Sequence, residues 1–281
     1  MNIALKANCL LMAAVASAAL ATEVKIGGSG GPTLALAPVA QAFQKRHPDL
    51  RPVLDSTLGS RGGIRAVAEG ALDVGVASRE LNAEEAARGL AQVEFARTPF
   101  VFATAVKNKA MRITLKEVAD IYGGKMQTWP DGTKLRLVLR PEGDSDTLLV
   151  RSISEELRQA SIAAAKRPGM AMAITDGDSS ESLEKIPGAF GTTTLSQILV
   201  EKRAIRALVL DGVEPTVANA VAGRYPLHKR FYLVVREPPT AAAREFVAFV
   251  RSAAAQALLS QTGHWTHAAE AQRQNGRVPG R

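Results

Sequence analysis

Residues 59–81 read Gly-Ser-Arg-Gly-Gly-Ile-Arg-Ala-Val-Ala-Glu-Gly-Ala-Leu-Asp-Val-Gly-Val-Ala-Ser-Arg-Glu-Leu. Gly63 to Glu69 carries a helical pattern that Gly70 stops. Leu72 to Ala77 is a short apolar run suited to a strand buried on both faces. Upstream, Leu50 to Leu54 reads as a strand leading into the glycine turn. Thr33 to Arg46 reads as one helix, ended by His47-Pro48-Asp49, and Glu23 to Gly27 as the opening strand. Downstream, Asn82 caps a helix that begins at Ala83, with Glu84 and Glu85 in its first turn. The order βαβαβα predicts an α/β unit with right-handed crossovers.

A second α/β run follows. Phe95 to Val106 is a long strand-like stretch. Thr114 caps a helix to Tyr122, with Glu117 at the capping-box position and Gly123-Gly124 at its end. Leu135 to Leu139 reads as a buried strand, Thr147 to Lys166 as a helix, Ala189 to Leu195 as a strand and turn, and Ala207 to Leu210 as a further strand. Phe231 to Val235 is a late strand returning to the first unit. Pro238-Pro239 precedes one long amphipathic helix, Thr240 to Ser260.

Three polar, glycine-bearing turns each follow a strand: Gly27 to Gly31, Gly59 to Gly63 and Arg140 to Thr147. Glycine lets backbone N–H groups approach a small ligand, and hydroxyls add donors. Together they read as one oxyanion cradle built from distant segments. The first turn offers Ser29 and the N–H groups of Gly30 and Gly31. Ser78 falls at the C-terminal end of its strand, the edge where open α/β sheets bind ligands. Arg79 beside it has two readings, a contact to the anion or a pair with Glu80. Arg140 has the fork of a bidentate oxyanion clamp, and Ser145 and Thr147 offer hydroxyls. Asp144 and Asp146 repel an anion unless it brings a proton to donate, as hydrogen phosphate does and sulfate at neutral pH does not. Two alternatives stay open: they cap the following helix, or the ligand also carries an amine or hydroxyl.

Lys6, the apolar run Cys9 to Leu20 and Ala19-Leu20-Ala21 predict a secretory signal cleaved after Ala21, and so a periplasmic or secreted protein. Cys9, the single cysteine, lies inside that segment, which excludes a disulfide framework and a cysteine metal site from the rest of the chain. The net charge of +8 favours anionic ligands. Aromatics make up only 5%, without the interleaving with basic residues that a single-strand nucleic-acid binder uses. No spacing of His, Cys or carboxylates predicts a metal or other cofactor. Asp176-Gly177-Asp178 looks like a fragment of a calcium loop without its remaining ligands and is read as a solvated turn. Gly27 to Gly31 also fits G-x-S-x-G, the elbow of serine hydrolases, with Ser29 as nucleophile and His228 as the credible base. An elbow on the opening strand lacks the preceding strands that build an oxyanion hole, so no enzyme is expected.

The chain resembles the PstS-like phosphate-binding proteins, the soluble receptors of ABC importers. The resemblance is carried, in family order, by the GSGG turn, the stretch 59–81, IYGGKMQTW, RPEGDSDT, IPGAFG and YPLHKRFYLVV, with a final helix ending in Ser260-Gln261-Thr262-Gly263. It implies a two-lobed periplasmic-binding-protein fold, each lobe a mixed, mostly parallel sheet flanked by helices. Two hinge strands near Thr104–Val106 and Phe231–Val235 would join the lobes around a ligand cleft. On that reading residues 22–104 and 226–266 form lobe 1, residues 105–225 form lobe 2, and 267–281 are a flexible tail. The resemblance also implies a ligand hydroxyl at Ser60, phosphate as ligand, a membrane permease as partner, a monomer and no catalysis. The chain departs from the family in two places. It has Ser78 where some phosphate binders carry a proton-accepting Asp. Its Arg140 turn is one residue longer than Arg-x-x-x-Ser-Gly-Thr and carries two carboxylates. A sensing module for another anion or a phosphonate-like solute is the alternative function.

Overall fold

Two parallel-stranded units share one sheet, and two long strands run between them. The structure, a computed structural model, describes residues 21–266. The signal run before Ala21 and the expected tail, 267–281, lie outside the described residues. The first unit comprises β1 (Thr22–Gly28), α1 (Gly30–Ala35), α2 (Ala37–Arg46), β2 (Leu50–Asp55), α3 (Gly59–Ala68), β3 (Val74–Ala77) and α4 (Ala83–Ala87). The sixteen-residue β4 (Leu90–Ala105) then leads into the second unit. That unit comprises β5 (Arg112–Ile113), α5 (Leu115–Gly123), β6 (Arg136–Leu139), α6 (Ser145–Ile153), α7 (Glu155–Ala165), β7 (Ala171–Met172) and α8 (Asp176–Lys185). It continues through β8 (Ala189–Thr194), α9 (Leu195–Glu201), β9 (Ile205–Ala207), β10 (Val209–Leu210) and α10 (Val217–Val221). β11 (His228–Arg236) returns to the first unit and is followed by α11 (Ala241–Val250) and α12 (Ala253–Ser260).

The main sheet runs β2-β1-β3-β11-β4-β8-β6-β7, with β9 also paired to β4. β1 lies parallel to β2 and β3, and β6 parallel to β7 and β8. β11 is antiparallel to both β3 and β4. β4 pairs with β11 as far as Pro99 and with β8 from Phe100 onward. Its last residues, Ala103 to Ala105, pair with β9. The expected α/β class holds: a mixed sheet with helices on both faces.

Strand alternation sends side chains to separate cores. On β11, Phe231, Leu233 and Val235 join the core beneath α2, α11 and α12, while Tyr232 and Val234 join the one beneath α3. Phe43 of α2 meets Phe246 and Phe249 of α11 edge-on, at 5.2 and 5.5 Å between centroids. On β4, Phe100 and Phe102 face α5, α6 and α7, whereas Val101 and Ala103 face α8 and α9. These cores fix the ends of β1, β3 and β6 that carry the polar turns.

Three expected helices are interrupted. Thr33 to Arg46 breaks at Leu36, since Pro38 at the start of α2 has no N–H to continue the ladder. Ser154 splits the helix expected from Thr147, and Ser252 splits the one expected from Thr240. Each serine hydroxyl accepts the N–H three residues on and starts a new helix. The second glycine turn is not a loop before a helix. It is the first part of α3, which begins at Gly59 rather than Gly63.

Candidate functional site

Four segments from the two units converge where the parallel strands end. Ser29 follows β1, and Gly31 lies in α1. Ser29 is buried, its N–H donating to Val76 O at 2.9 Å. Its hydroxyl lies 2.6 Å from Ser78 Oγ, just past β3. Ser60, in α3, accepts the Ser78 N–H at 2.9 Å. The first two glycine turns and the end of β3 are thus tied together. α3 sits close because Gly63 has no side chain: a Cβ there would lie 2.7 Å from Gly27 O and Gly28 Cα.

Arg140 follows β6 and its side chain is 5% exposed. Nε and Nη2 donate to the Asp144 carboxylate at 3.2 and 2.8 Å, and Nη2 also donates to Asp176 Oδ1 at 2.9 Å. Nη1 is buried and has no hydrogen-bond partner among the described residues. Burial pulls the guanidinium toward neutrality, but Asp146, Asp176 and Asp144 outweigh it and hold it above the ordinary arginine value. Asp144 caps α6 by accepting the Asp146 N–H at 2.9 Å. Burial and the neighbouring Asp146 raise its pKa against the pull of Arg140. Thr147 donates to Arg140 O at 3.1 Å and so spends its hydroxyl on the turn.

Asp146 points elsewhere. Its carboxylate pairs with Lys229 Nζ of β11 and accepts Thr192 Oγ1 of β8 at 2.8 Å. Lys229 Nζ also donates to Ser145 Oγ at 2.9 Å. Burial opposes both charges, yet their mutual field wins: Asp146 lies below the usual carboxylate value and Lys229 above the usual lysine value.

The two units meet through Asp176, the first residue of α8. Its Oδ2 accepts from Ser29 Oγ at 3.2 Å and from Gly31 N–H at 3.0 Å, while Oδ1 holds Arg140. Asp176 is therefore no solvated turn residue. Gly30 packs against it, since a Cβ there would stand 3.1 Å from Asp176 Cβ. Between Asp176, Asp146, Lys229, Thr192 and Gln197 lies a cavity of about 10 Å³, room for a single water.

Ser29, Gly30, Gly31, Ser60, Ser78, Arg140, Asp144, Ser145 and Thr147 thus fall in one cluster. Arg79 does not. Its guanidinium donates twice to Glu85 at 2.7 Å and once to Glu80 O at 2.8 Å, which spends its fork on α4. The Glu85 carboxyl is held below its usual value chiefly by those hydrogen bonds. The Ser29 hydroxyl is bonded to Ser78 and Asp176, and no histidine is among its partners in the described residues.

Sequence reasoning missed Asp176, Lys229 and Thr192. Lys229 was legible in the alternation, because it shares parity with the buried Phe231, Leu233 and Val235. Asp176 was legible in Thr175-x-x-Asp178, a capping box that starts a helix at Asp176.

A family model described as the PBP superfamily domain matches residues 13–254. The chain is similar to the phosphate-binding protein PstS of Bacillus subtilis, with 28% identity over 240 residues, 82% of this chain and 75% of that protein. It is also similar to a Clostridium perfringens substrate-binding protein, described for a phosphate ABC transporter and solved with bound phosphate. That structure shows 25% identity and a TM-score of 0.75, over 87% of this chain and 99% of that one. An ABC-type phosphate transport receptor of Vibrio cholerae shares the fold, at 19% identity and a TM-score of 0.63, over 86% and 99% of the two chains.

Proposed function

We propose, on the premise that this chain belongs to the PBP superfamily and to its PstS-like members, that it captures phosphate between its two units and hands it to the permease of an ABC importer. The observation that carries this reading is Arg140: a buried guanidinium, one nitrogen unmet among the described residues, sharing the Asp176 carboxylate with Ser29 and Gly31 of the other unit. In a dry cleft, fixed N–H and O–H groups bind an oxyanion without reorganising, and their field is weakly screened.

The proposed ligand contacts are Arg140, Ser29, the N–H groups of Gly30 and Gly31, and the hydroxyls of Ser60, Ser78 and Ser145. Thr147 holds the turn and Asp144 aims the clamp. A carboxylate beside the clamp disfavours fully ionised sulfate, whereas phosphate brings a proton to face it.

The lobes are proposed to divide where β4 changes partner, at Pro99 and Phe100, and where β11 begins, at His228. That is a few residues before the stretch expected from sequence. The protein is proposed to act as an exported monomer without catalysis. No helix among the described residues is long and apolar enough to cross a membrane. Calorimetric titration tests the reading: phosphate is expected to bind one to one and sulfate at least 100-fold more weakly. Equal binding of the two, or none of phosphate, would overturn it.

A further inference from the structure

The carboxylate of Asp176 stands in the cradle as a ligand would. It takes one hydrogen each from Ser29 Oγ and Gly31 N on the first unit and from Arg140 Nη2 on the second. We propose that Asp176 is an internal competitor that holds the cleft shut and sets which anions open it. The proposal rests on the phosphate reading for the ligand's identity, though not for the closure.

The donor count makes binding an exchange. Gly31 has a single N–H, and Asp176 has it. Arg140 Nη2 has two hydrogens, one on Asp144 and one on Asp176. A ligand that uses these donors takes them from Asp176. Charge agrees. Arg140 and Lys229 balance Asp144 and Asp146, so Asp176 leaves the cluster one unit negative. A dianion added beside Asp176 meets net repulsion; one that replaces it does not.

The same count selects the ligand. Asp176 spends both its oxygens and still leaves Arg140 Nη1 unmet. A free monocarboxylate offers the cradle nothing that Asp176 lacks, and must compete with a tethered group at high effective concentration. A tetrahedral oxyanion brings four oxygens, enough to reach Nη1 as well.

Asp176 is also free to leave. α8 is capped by Thr175 Oγ1, which accepts Asp178 N–H at 3.0 Å, while Asp178 returns the bond to Thr175 N–H at 2.9 Å. The helix end therefore does not need the Asp176 side chain, which at 17% exposure already reaches solvent.

The test compares wild type with Asp176→Ala and Asp176→Asn by small-angle scattering and calorimetry, with folding checked by circular dichroism. Without added ligand both variants should scatter as a more open particle than wild type. Phosphate should bind them at least 10-fold more tightly. Millimolar acetate or formate should reclose Asp176→Ala and leave wild type unchanged. Asp176→Asn keeps the residue's size and carries the test if the alanine variant does not fold. Variants that stay closed, or that bind phosphate more weakly, would overturn the proposal. If acetate recloses Asp176→Ala while phosphate binds neither protein, the internal competitor stands and the phosphate assignment falls.

Discussion

Lys229 of β11 and Asp146 of α6 form an ion pair with side chains 3% and 5% exposed, so a charge from the returning strand is sealed against the second unit. Removing one partner strands the other charge in a dry site. Lys229→Met should cost about 3–5 kcal/mol of stability in urea unfolding. Adding Asp146→Leu to it should recover most of that loss. A single variant as stable as wild type would mean that water reaches the pair.

Arg140 holds Asp144 and Asp176 at once. Arg140→Ala should weaken phosphate binding by about 2–4 kcal/mol in calorimetry, the loss of a buried charge-assisted contact. Arg140→Lys should recover little, since a point charge cannot serve two carboxylates and a ligand in one plane.

Gly63 brings α3 within contact of the β1 backbone and so positions Ser60. Gly63→Ala should cost about 1–3 kcal/mol and weaken ligand binding, because the helix must move off the strand. Gly123 lies in α5, where a Cβ meets nothing within 4 Å. Gly123→Ala should be neutral or stabilise by up to about 1 kcal/mol. Thermal melts of the two variants read the difference directly.

His264 is buried against Phe231, its Nε2 has no hydrogen-bond partner among the described residues, and burial lowers its pKa to about 4. The folded state therefore binds fewer protons than the unfolded one between about pH 4 and the ordinary histidine value of 6.5. Stability should be intact above that window and fall by about 3 kcal/mol as pH drops through it. His264→Phe should flatten the decline in pH-dependent urea unfolding.

Much of the fold was legible because its signals are local. The cap at Asn82 and the capping box at Thr114 form where their residues predict. The runs Leu72 to Ala77 and Leu135 to Leu139 become strands, over Val74–Ala77 and Arg136–Leu139. Ser154 and Ser252 were harder, since a serine inside an amphipathic pattern starts a helix only when the preceding turn bends away. Asp144 and Asp146 show the limit for the site. They sit two residues apart at one helix start, yet one turns back to Arg140, four residues earlier in the same turn, while the other is drawn to Lys229, a partner 83 residues away in the chain. Arg79 was likewise settled by Glu85, six residues away on the next helix.

The decisive measurement is a crystal structure of the protein grown with phosphate. It should hold one phosphate bounded by Ser29, Gly31 and Arg140, with an oxygen on Nη1 and Asp176 turned away. Phosphate found instead in the cavity of about 200 Å³ that Arg140 lines with Tyr122, Arg151 and Ser161, out of contact with Ser29 and Gly31 and with Asp176 still on Gly31, would contradict that placement.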